Sequence, residues 1–172
     1  MCYLLVIVCY LSINLAVLPL KSVLMSSYRQ HLYHIVTRTK NNLPAIKQEY
    51  SDELFAYITG IIKNKNSFLY RINGVQNHIH ILTDIHPSIA PADFVKDIKV
   101  YSSLWIKKCG LFPGFEGWAE GYASLTCSFG DLERLIAYIK NQQIHHSKES
   151  FEDEYRRLIE EAGIEIDNRY FP

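Results

Sequence analysis

The hydrophobic and polar positions along the chain form eight consecutive patterns. Runs rich in β-branched residues and bounded by turn-forming residues predict strands, and they cover residues 28–39, 67–73, 75–85 and 118–127. Apolar residues spaced at i, i+3, i+4 and i+7 predict amphipathic helices, and they cover residues 51–65, 91–109, 131–145 and 151–162. The predicted order is therefore β-α-β-β-α-β-α-α.

This order predicts an α+β fold. An antiparallel sheet with helices packed on one face, of the ferredoxin-like type, fits the order, with additional helices at the C-terminal end. At 172 residues the chain is long enough for one domain with a sizeable core, and we expect no second domain. Ser51 is expected to cap the first helix, and Ser150-x-x-Asp153 resembles a capping box for the last helix.

The third predicted strand carries an unusual polar face. It lies within the stretch GVQNHIHILTDIHP, residues 74–87. Because side chains alternate between the two faces of a strand, Ile79 and Ile81 lie on one face and His78 and His80 on the other. The isoleucines are explained as core residues. Folding does not require two neighbouring imidazoles, so the histidine face is a candidate functional site; the alternative is that two exposed histidines occur there by chance.

The first twenty residues, MCYLLVIVCYLSINLAVLPL, contain no charged side chain. This run is long enough for a membrane span and resembles a signal peptide, but it lacks a basic beginning and a clear cleavage site. MSSYRQHLYHIVTRTK, which starts at Met25, is a natural opening for a domain. We therefore predict that residues 1–25 are an apolar leader produced by a mis-assigned start, that the domain covers residues 26–172, and that the protein makes no stable membrane association.

The net charge of the whole chain is zero, which argues against a strongly basic nucleic-acid-binding protein. The distribution is uneven, because Arg29–Lys148 holds 14 basic and 10 acidic side chains (+4) and Glu149–Pro172 holds 3 and 8 (−5). An acidic C-terminal segment can thus mask a mildly basic body, although two solvated faces would give the same counts. The four cysteines show no disulfide framework and no metal-finger spacing, which favours a reducing cytoplasm.

Two other uses of paired histidines fit this chain poorly. A zinc hydrolase of the barrel type also carries His-x-His on a strand, but it needs about 250 residues and further His and Asp ligands. A phosphodiesterase with two His-x-Ser/Thr motifs needs a second motif, and here His80 is followed two places on by Leu82.

The third predicted helix contains another candidate group, within LIAYIKNQQIHH at residues 135–146. Tyr138 and Gln142 are one helical turn apart, so both project from the same side of the helix. Taken alone, Tyr138 is a boundary aromatic and Gln142 a solvated neighbour. Taken with the histidines, two imidazoles and an amide oxygen can hold a divalent cation, and a phenol one turn away can attack a group bound to that cation.

Four stretches together resemble the single-tyrosine transposases of the HUH superfamily, of the insertion-sequence-200-like type. They are YRQHLYHIVTRTK near the domain start, NHIHIL, GFEGWAEGYASLT before the last strand, and YIKNQ. The resemblance spans about residues 26–172. The His-hydrophobic-His motif is weakly diagnostic by itself, but its pairing with Tyr-x-x-x-Gln on a late helix is specific.

The resemblance implies a role for each matching position. His78 and His80 match the metal-binding histidines, Gln142 matches the third metal ligand, and Tyr138 matches the nucleophile that forms a 5′-phosphotyrosine bond. The implied cofactor is Mg²⁺ or Mn²⁺, and imidazole ligands suit Mn²⁺ better. Asn77 stands where the family often has an acid, which we expect to alter how the histidines are held rather than to abolish activity.

The implied activity is the cutting and rejoining of single-stranded DNA that folds into hairpins at the ends of a mobile element. Such enzymes are homodimers, in which the tyrosine helix of one subunit can complete the site of the other. The basic side chains available for DNA phosphates include Arg29, Arg38, Lys40 and Lys140. The alternative, in another functional class, is a catalytically inactive or domesticated nucleic-acid-binding module on the same fold.

Overall fold

A computed structural model of the chain describes residues 28–168 and residue 171. The predicted leader, residues 1–25, lies outside the described residues, and its assignment as a mis-assigned start stays a prediction. Within the described part of the chain, no helix is both long enough and apolar enough to cross a membrane. Cys109 and Cys127, the two cysteines in that part, are free thiols.

The described chain contains four strands, β1 (Leu32–Arg38), β2 (Phe68–Gly74), β3 (His78–Asp84) and β4 (Ala123–Thr126). Its α-helices are α1 (Ser51–Asn64), α2 (Pro91–Cys109), α3 (Leu132–Lys140), α4 (Gln142–His145) and α5 (Phe151–Glu161). The strands form one sheet in the order β2-β3-β1-β4, and all neighbouring strands are antiparallel. The predicted ferredoxin-like α+β fold is confirmed.

The larger hydrophobic core lies between one face of the sheet and the helices α1 and α2. Ile35 of β1 and Ile79 and Ile81 of β3 contribute to it from the sheet. The helices contribute residues at helical spacing, Leu54, Ile58, Ile61 and Ile62 from α1 and Phe94, Val95, Ile98 and Ile106 from α2. Burial of each such side chain contributes about 1.5–3 kcal/mol, so this face dominates the stability of the domain.

The C-terminal helices cover the opposite face of the sheet. Two smaller clusters fill this layer, with Leu82 packed against Leu132 and Ile139 of α3, and Val36 packed against Phe151 and Leu158 of α5. The histidine face of β3 therefore lies under α3, α4 and α5.

The structure departs from the sequence prediction at the third helix. The predicted helix over residues 131–145 is broken, because α3 ends at Lys140 and Asn141 has φ −99° and ψ 20°. The N–H of Asn141 is shared between the carbonyls of Ala137 and Tyr138, and Gln142 then begins α4.

The two predicted helix caps have different outcomes. Tyr50, not Ser51, is the N-cap residue of α1; Ser51 is the first helical residue, and its hydroxyl donates to the carbonyl of Gln48 at 2.9 Å. The cap of α5 is confirmed, since the hydroxyl of Ser150 accepts a hydrogen bond from the N–H of Asp153 at 3.1 Å.

Gly74 forms the close link between β2 and β3. A Cβ at this position would lie 2.3 Å from the carbonyl oxygen of His78 and 2.8 Å from Cα of Ile79. The same carbonyl accepts a hydrogen bond from the N–H of Val75 at 3.0 Å. Because the obstructing atoms belong to the backbone, only a residue without a side chain fits where the chain enters the histidine strand.

Candidate active site

The two histidines of β3 are buried between the sheet and the C-terminal helices. His78 and His80 are 0% exposed, and His34 of the neighbouring strand β1 is 1% exposed. Nε2 of His34 lies 2.9 Å from Nδ1 of His80, and the amide oxygen of Asn77 lies 2.8 Å from Nδ1 of His78. The alternative interpretation of two exposed histidines is therefore wrong, because the C-terminal helices cover this face.

Helix α5 places a carboxylate group against these imidazoles. Glu154 is fully buried, and its Oε2 lies 3.4 Å from Nε2 of His78 and 3.5 Å from Nε2 of His80. Nε2 of His146, which follows α4, lies 2.9 Å from the same oxygen. Ligand-type atoms of these four side chains all lie within 4.8 Å of one another.

Tyr138 of α3 reaches the same carboxylate group. Its phenol donates a hydrogen bond to Oε1 of Glu154, and Nη2 of Arg157 lies 3.4 Å from the phenol oxygen. The tyrosine ring meets the rings of His34 and His80 edge-on, with centroids 6.2 Å and 6.0 Å away. The structure thus brings Tyr138 and the paired histidines into one cluster within a single chain.

Gln142 lies in the same cluster, on the short helix that follows the break. It is fully buried, and its Nε2 donates to Oε1 of Glu154 at 3.0 Å. Its own amide oxygen has no hydrogen-bond partner, and neither has Nε2 of His78 or of His80.

The three unpartnered atoms indicate whether the site fits a metal ion. Leaving a buried polar atom without a partner costs about 1–3 kcal/mol, so such atoms are rare in native proteins. Of the seven such side-chain atoms in the described part of the chain, three belong to His78, His80 and Gln142, the residues expected to hold a metal ion. Two imidazole nitrogens and an amide oxygen are also suitable donors for a divalent cation, so the residues present fit one.

Two histidines of the cluster, His34 and His78, are held neutral by their surroundings. Burial, reinforced by the neighbouring His80, lowers the pKa of His34 to about 3. Burial also lowers the pKa of His78 to about 4. Neutral imidazole is the form that binds metal ions.

Glu154 and Tyr138 differ in their protonation state. Burial alone would raise the pKa of Glu154, but the imidazoles of His146, His78 and His80 around its carboxylate outweigh burial and hold that pKa well below its usual range. Burial, followed by the negative charge of Glu154, raises the pKa of Tyr138 well above its usual range, and Arg157 opposes that shift. At neutral pH the cluster therefore contains an ionised Glu154 and a protonated phenol.

Sequence reasoning missed three members of the cluster, His34, His146 and Glu154. His146 follows Gln142 by four residues, so the spacing that linked Tyr138 to Gln142 also pointed to it. Glu154 carried no signal, because it lies in a strongly charged helix whose acidic residues are otherwise expected to face solvent.

The four predicted DNA-binding residues lie on separate segments of the chain. Arg38 is opposite His78 in the β1–β3 pairing, and its Nη1 donates to Oδ1 of Asn42 at 3.1 Å. Lys40 is exposed, with its Nζ 3.7 Å from Oε2 of Glu116. Lys140 is exposed at the end of α3, and Arg29 is half-buried before β1. Their contacts with DNA stay a prediction.

A ferredoxin-like sheet with His-x-His on a central strand and a tyrosine on a later helix defines the HUH class of single-tyrosine transposases. The sequence matches the family model described as "Transposase IS200 like" over residues 27–142, and the chain belongs to this family. DNA transposition is thereby its class of activity.

Two solved structures resemble the chain. One is a Deinococcus radiodurans R1 protein proposed to be a transposase, at 24% identity and a TM-score of 0.55, covering 69% of this chain and 95% of that one. The other is a REP-associated tyrosine transposase bound to a REP hairpin, at 15% identity and a TM-score of 0.53, covering 71% and 74%. At these identities the similarity supports the fold. No curated protein matches the sequence.

Proposed function

We propose that this transposase cleaves and rejoins single-stranded DNA at hairpin-bearing element ends through a 5′-phosphotyrosine intermediate on Tyr138. The observation that carries the proposal is the contact of Tyr138 and the paired histidines with one carboxylate group, Glu154, inside one chain. The hairpin bound in a structure of similar fold supports the choice of substrate.

The covalent step exchanges one phosphate ester for another. The phenol of Tyr138 releases its proton to water and its oxygen attacks the phosphorus; the new O–P bond forms, and the bond from phosphorus to the 3′ oxygen breaks. The departing strand keeps a 3′-hydroxyl after taking up a proton, and the tyrosine keeps the 5′-phosphate. Because the phosphotyrosine conserves the bond, rejoining with another 3′-hydroxyl needs no ATP.

His78, His80 and Gln142 would hold the Mg²⁺ or Mn²⁺ cofactor, which when bound neutralises charge on the scissile phosphate. In the state described, Glu154 keeps the phenol of Tyr138 protonated and directed toward the histidines. The guanidinium of Arg157, 3.4 Å from the phenol oxygen, favours the phenolate that the attack requires.

The substrate phosphates would meet the basic residues around the site. Arg38 ends β1 opposite His78, Lys40 follows two residues later, and Lys140 lies two residues beyond Tyr138. We assign these side chains to contacts with the phosphate backbone of the DNA, which carry no sequence preference. We also expect the protein to be a homodimer in the cytoplasm.

The test is covalent capture of DNA. The full chain is incubated with labelled single-stranded oligonucleotides from the genomic ends that flank its coding sequence, with Mn²⁺ or Mg²⁺, and the products are separated on a denaturing gel. We expect an adduct that disappears with a chelator and in Tyr138→Phe. Tyr57→Phe is the matched control, because Tyr57 stacks on Trp105 in the opposite layer, and it should retain the adduct.

A catalytically inactive DNA-binding module is the second candidate. The complete burial of His78, His80 and Glu154 favours it, because no phosphate reaches these atoms while the C-terminal helices lie as described. Tight binding of hairpin oligonucleotides with no adduct under any metal condition would support this candidate and contradict the nuclease.

A further inference from the structure

We propose that His146 and Glu154 join His78 and His80 as protein ligands of one divalent transition-metal ion, forming a three-histidine, one-carboxylate centre that ties α4 and α5 to the sheet. This inference rests on the proposed metal-assisted function. It keeps His78 and His80 from the expected ligand set and places His146 and Glu154, which the family resemblance did not supply, where that set had Gln142.

The first argument is the position of the imidazole protons. Nδ1 of His146 lies 3.1 Å from the carbonyl oxygen of Glu149, and a carbonyl can only accept, so Nδ1 carries the proton. Nδ1 of His78 likewise donates to the amide oxygen of Asn77 at 2.8 Å. In both residues Nε2 is therefore the nitrogen that faces Glu154, where it can bind either a proton or a cation.

His80 fits the same arrangement through its partner on β1. Its Nδ1 lies 2.9 Å from Nε2 of His34, so one of these two nitrogens donates a hydrogen bond to the other. In the tautomer in which His80 donates through Nδ1, its Nε2 also presents a lone pair to Glu154. Partners of this kind orient metal-binding histidines and select their tautomer.

The second argument is the convergence of these three imidazole nitrogens on one carboxylate oxygen. Oε2 of Glu154 lies 2.9 Å from Nε2 of His146 and 3.4 Å and 3.5 Å from those of His78 and His80. A lone pair facing a carboxylate oxygen is unfavourable unless a proton or a cation lies between them. One proton can satisfy one of these contacts, whereas a cation among the four atoms satisfies all of them.

The orientation of the carboxylate is itself fixed. Its other oxygen, Oε1, accepts hydrogen bonds from the phenol of Tyr138 and from Nε2 of Gln142. Oε2 is thereby directed at the three imidazoles. Glu154 thus links the nucleophile on one side to the metal ligands on the other.

The ligand types and their spacing select the ion. Imidazole nitrogens favour Zn²⁺, Co²⁺ and Mn²⁺ over Mg²⁺, which prefers oxygen ligands in an octahedral arrangement. Metal–ligand distances of about 2.0–2.1 Å at tetrahedral zinc place neighbouring ligand atoms roughly 3.3 Å apart. The three nitrogen–oxygen separations, 2.9–3.5 Å, match that spacing, and all four ligand atoms lie within 4.8 Å of one another.

The test is cobalt titration of the full chain after removal of metals with a chelator. We expect saturation at one Co²⁺ per chain, the intense visible absorption of four-coordinate cobalt, displacement by Zn²⁺ and no displacement by an equal concentration of Mg²⁺. A weak spectrum of six-coordinate cobalt in the wild-type protein would overturn the proposal without any variant.

The variants His146→Ala and Glu154→Gln separate the new ligands from the expected ones. Each should weaken Co²⁺ binding by about tenfold or more and remove the intense band. The controls are His86→Ala and Glu160→Gln, which lie outside the cluster and should bind as the wild type does. Circular dichroism checks that each variant is folded.

The outcomes distinguish this proposal from the proposed function. If His146→Ala and Glu154→Gln bind Co²⁺ like the wild type while His78→Ala and His80→Ala do not, the four-ligand centre is wrong and the metal-assisted transposase stands. If Co²⁺ binds as expected but no DNA adduct forms, the centre stands and the nuclease is wrong.

Discussion

Residues of the same type have different roles in this protein because their surroundings differ. Tyr138 donates to a buried carboxylate, whereas Tyr57 stacks on Trp105 at a ring-centroid distance of 5.0 Å. Gly74 is enclosed by backbone atoms, whereas a Cβ at Gly60 would meet nothing within 4 Å. The contacts of each residue therefore decide what a substitution does.

The two glycines give a matched prediction. Gly74→Ala forces a Cβ into the backbone of His78 and Ile79, so we expect the free energy of unfolding to fall by about 1–3 kcal/mol. Gly60→Ala, in the interior of α1, should raise it by about 0.5–1 kcal/mol, because alanine loses less conformational freedom in a helix. Urea denaturation measures both values, and equal effects of the two substitutions would contradict the close approach at Gly74.

Among the elements, α3, α4 and α5 form the layer that closes the site. The break at Asn141 separates α3 from α4, so that Tyr138 and Gln142 lie on different helices and still contact the same oxygen of Glu154. The apolar side of α5 attaches this layer to the sheet through Phe151 and Leu158. The site is therefore only as stable as this packing.

Leu158→Ala tests the packing of α5. Removing this buried side chain should lower the free energy of unfolding by about 2–3 kcal/mol, through lost burial and the cavity left behind. Glu160→Ala, on the exposed side of the same helix, should change it by less than about 0.5 kcal/mol. If chemical denaturation finds the two variants equally stable, α5 does not pack on the sheet in solution.

For the molecule as a whole, the site is assembled from segments far apart in the chain. His34, His78, Tyr138 and Glu154 come from β1, β3, α3 and α5, and one chain supplies all of them. Nothing in this arrangement needs a second copy to complete the cluster, although the homodimer stays a prediction.

A mixing experiment tests whether a single chain supplies the whole active site of the proposed nuclease. His78→Ala and Tyr138→Phe are each expected to form no adduct with the oligonucleotide, and a mixture of the two should form none either. The reason is that the intact tyrosine and the intact histidine pair would lie in different chains. Recovery of the adduct in co-expressed, mixed dimers would show instead that the tyrosine acts on the partner's site.

Local sequence patterns were enough to predict the buried faces of several strands and helices. The alternation of Ile79 and Ile81 with His78 and His80 correctly separated the core face of β3 from its polar face. The helical spacing of Leu54, Ile58 and Ile62 correctly identified the buried side of α1. These features were readable because the periods of strands and helices are properties of the backbone, and each pattern lies within one short segment.

Tertiary structure alone decided how the polar face is used. No local pattern indicated that α5 would cover it, that both histidines would be fully buried, or that Glu154 would lie among three imidazoles. Glu154 is 74 residues beyond His80, the difference between their sequence numbers. A contact between residues so far apart in the chain depends on how apolar surfaces pack across the whole domain. Hydrophobic burial is not directional, so it does not select a particular pair of polar side chains.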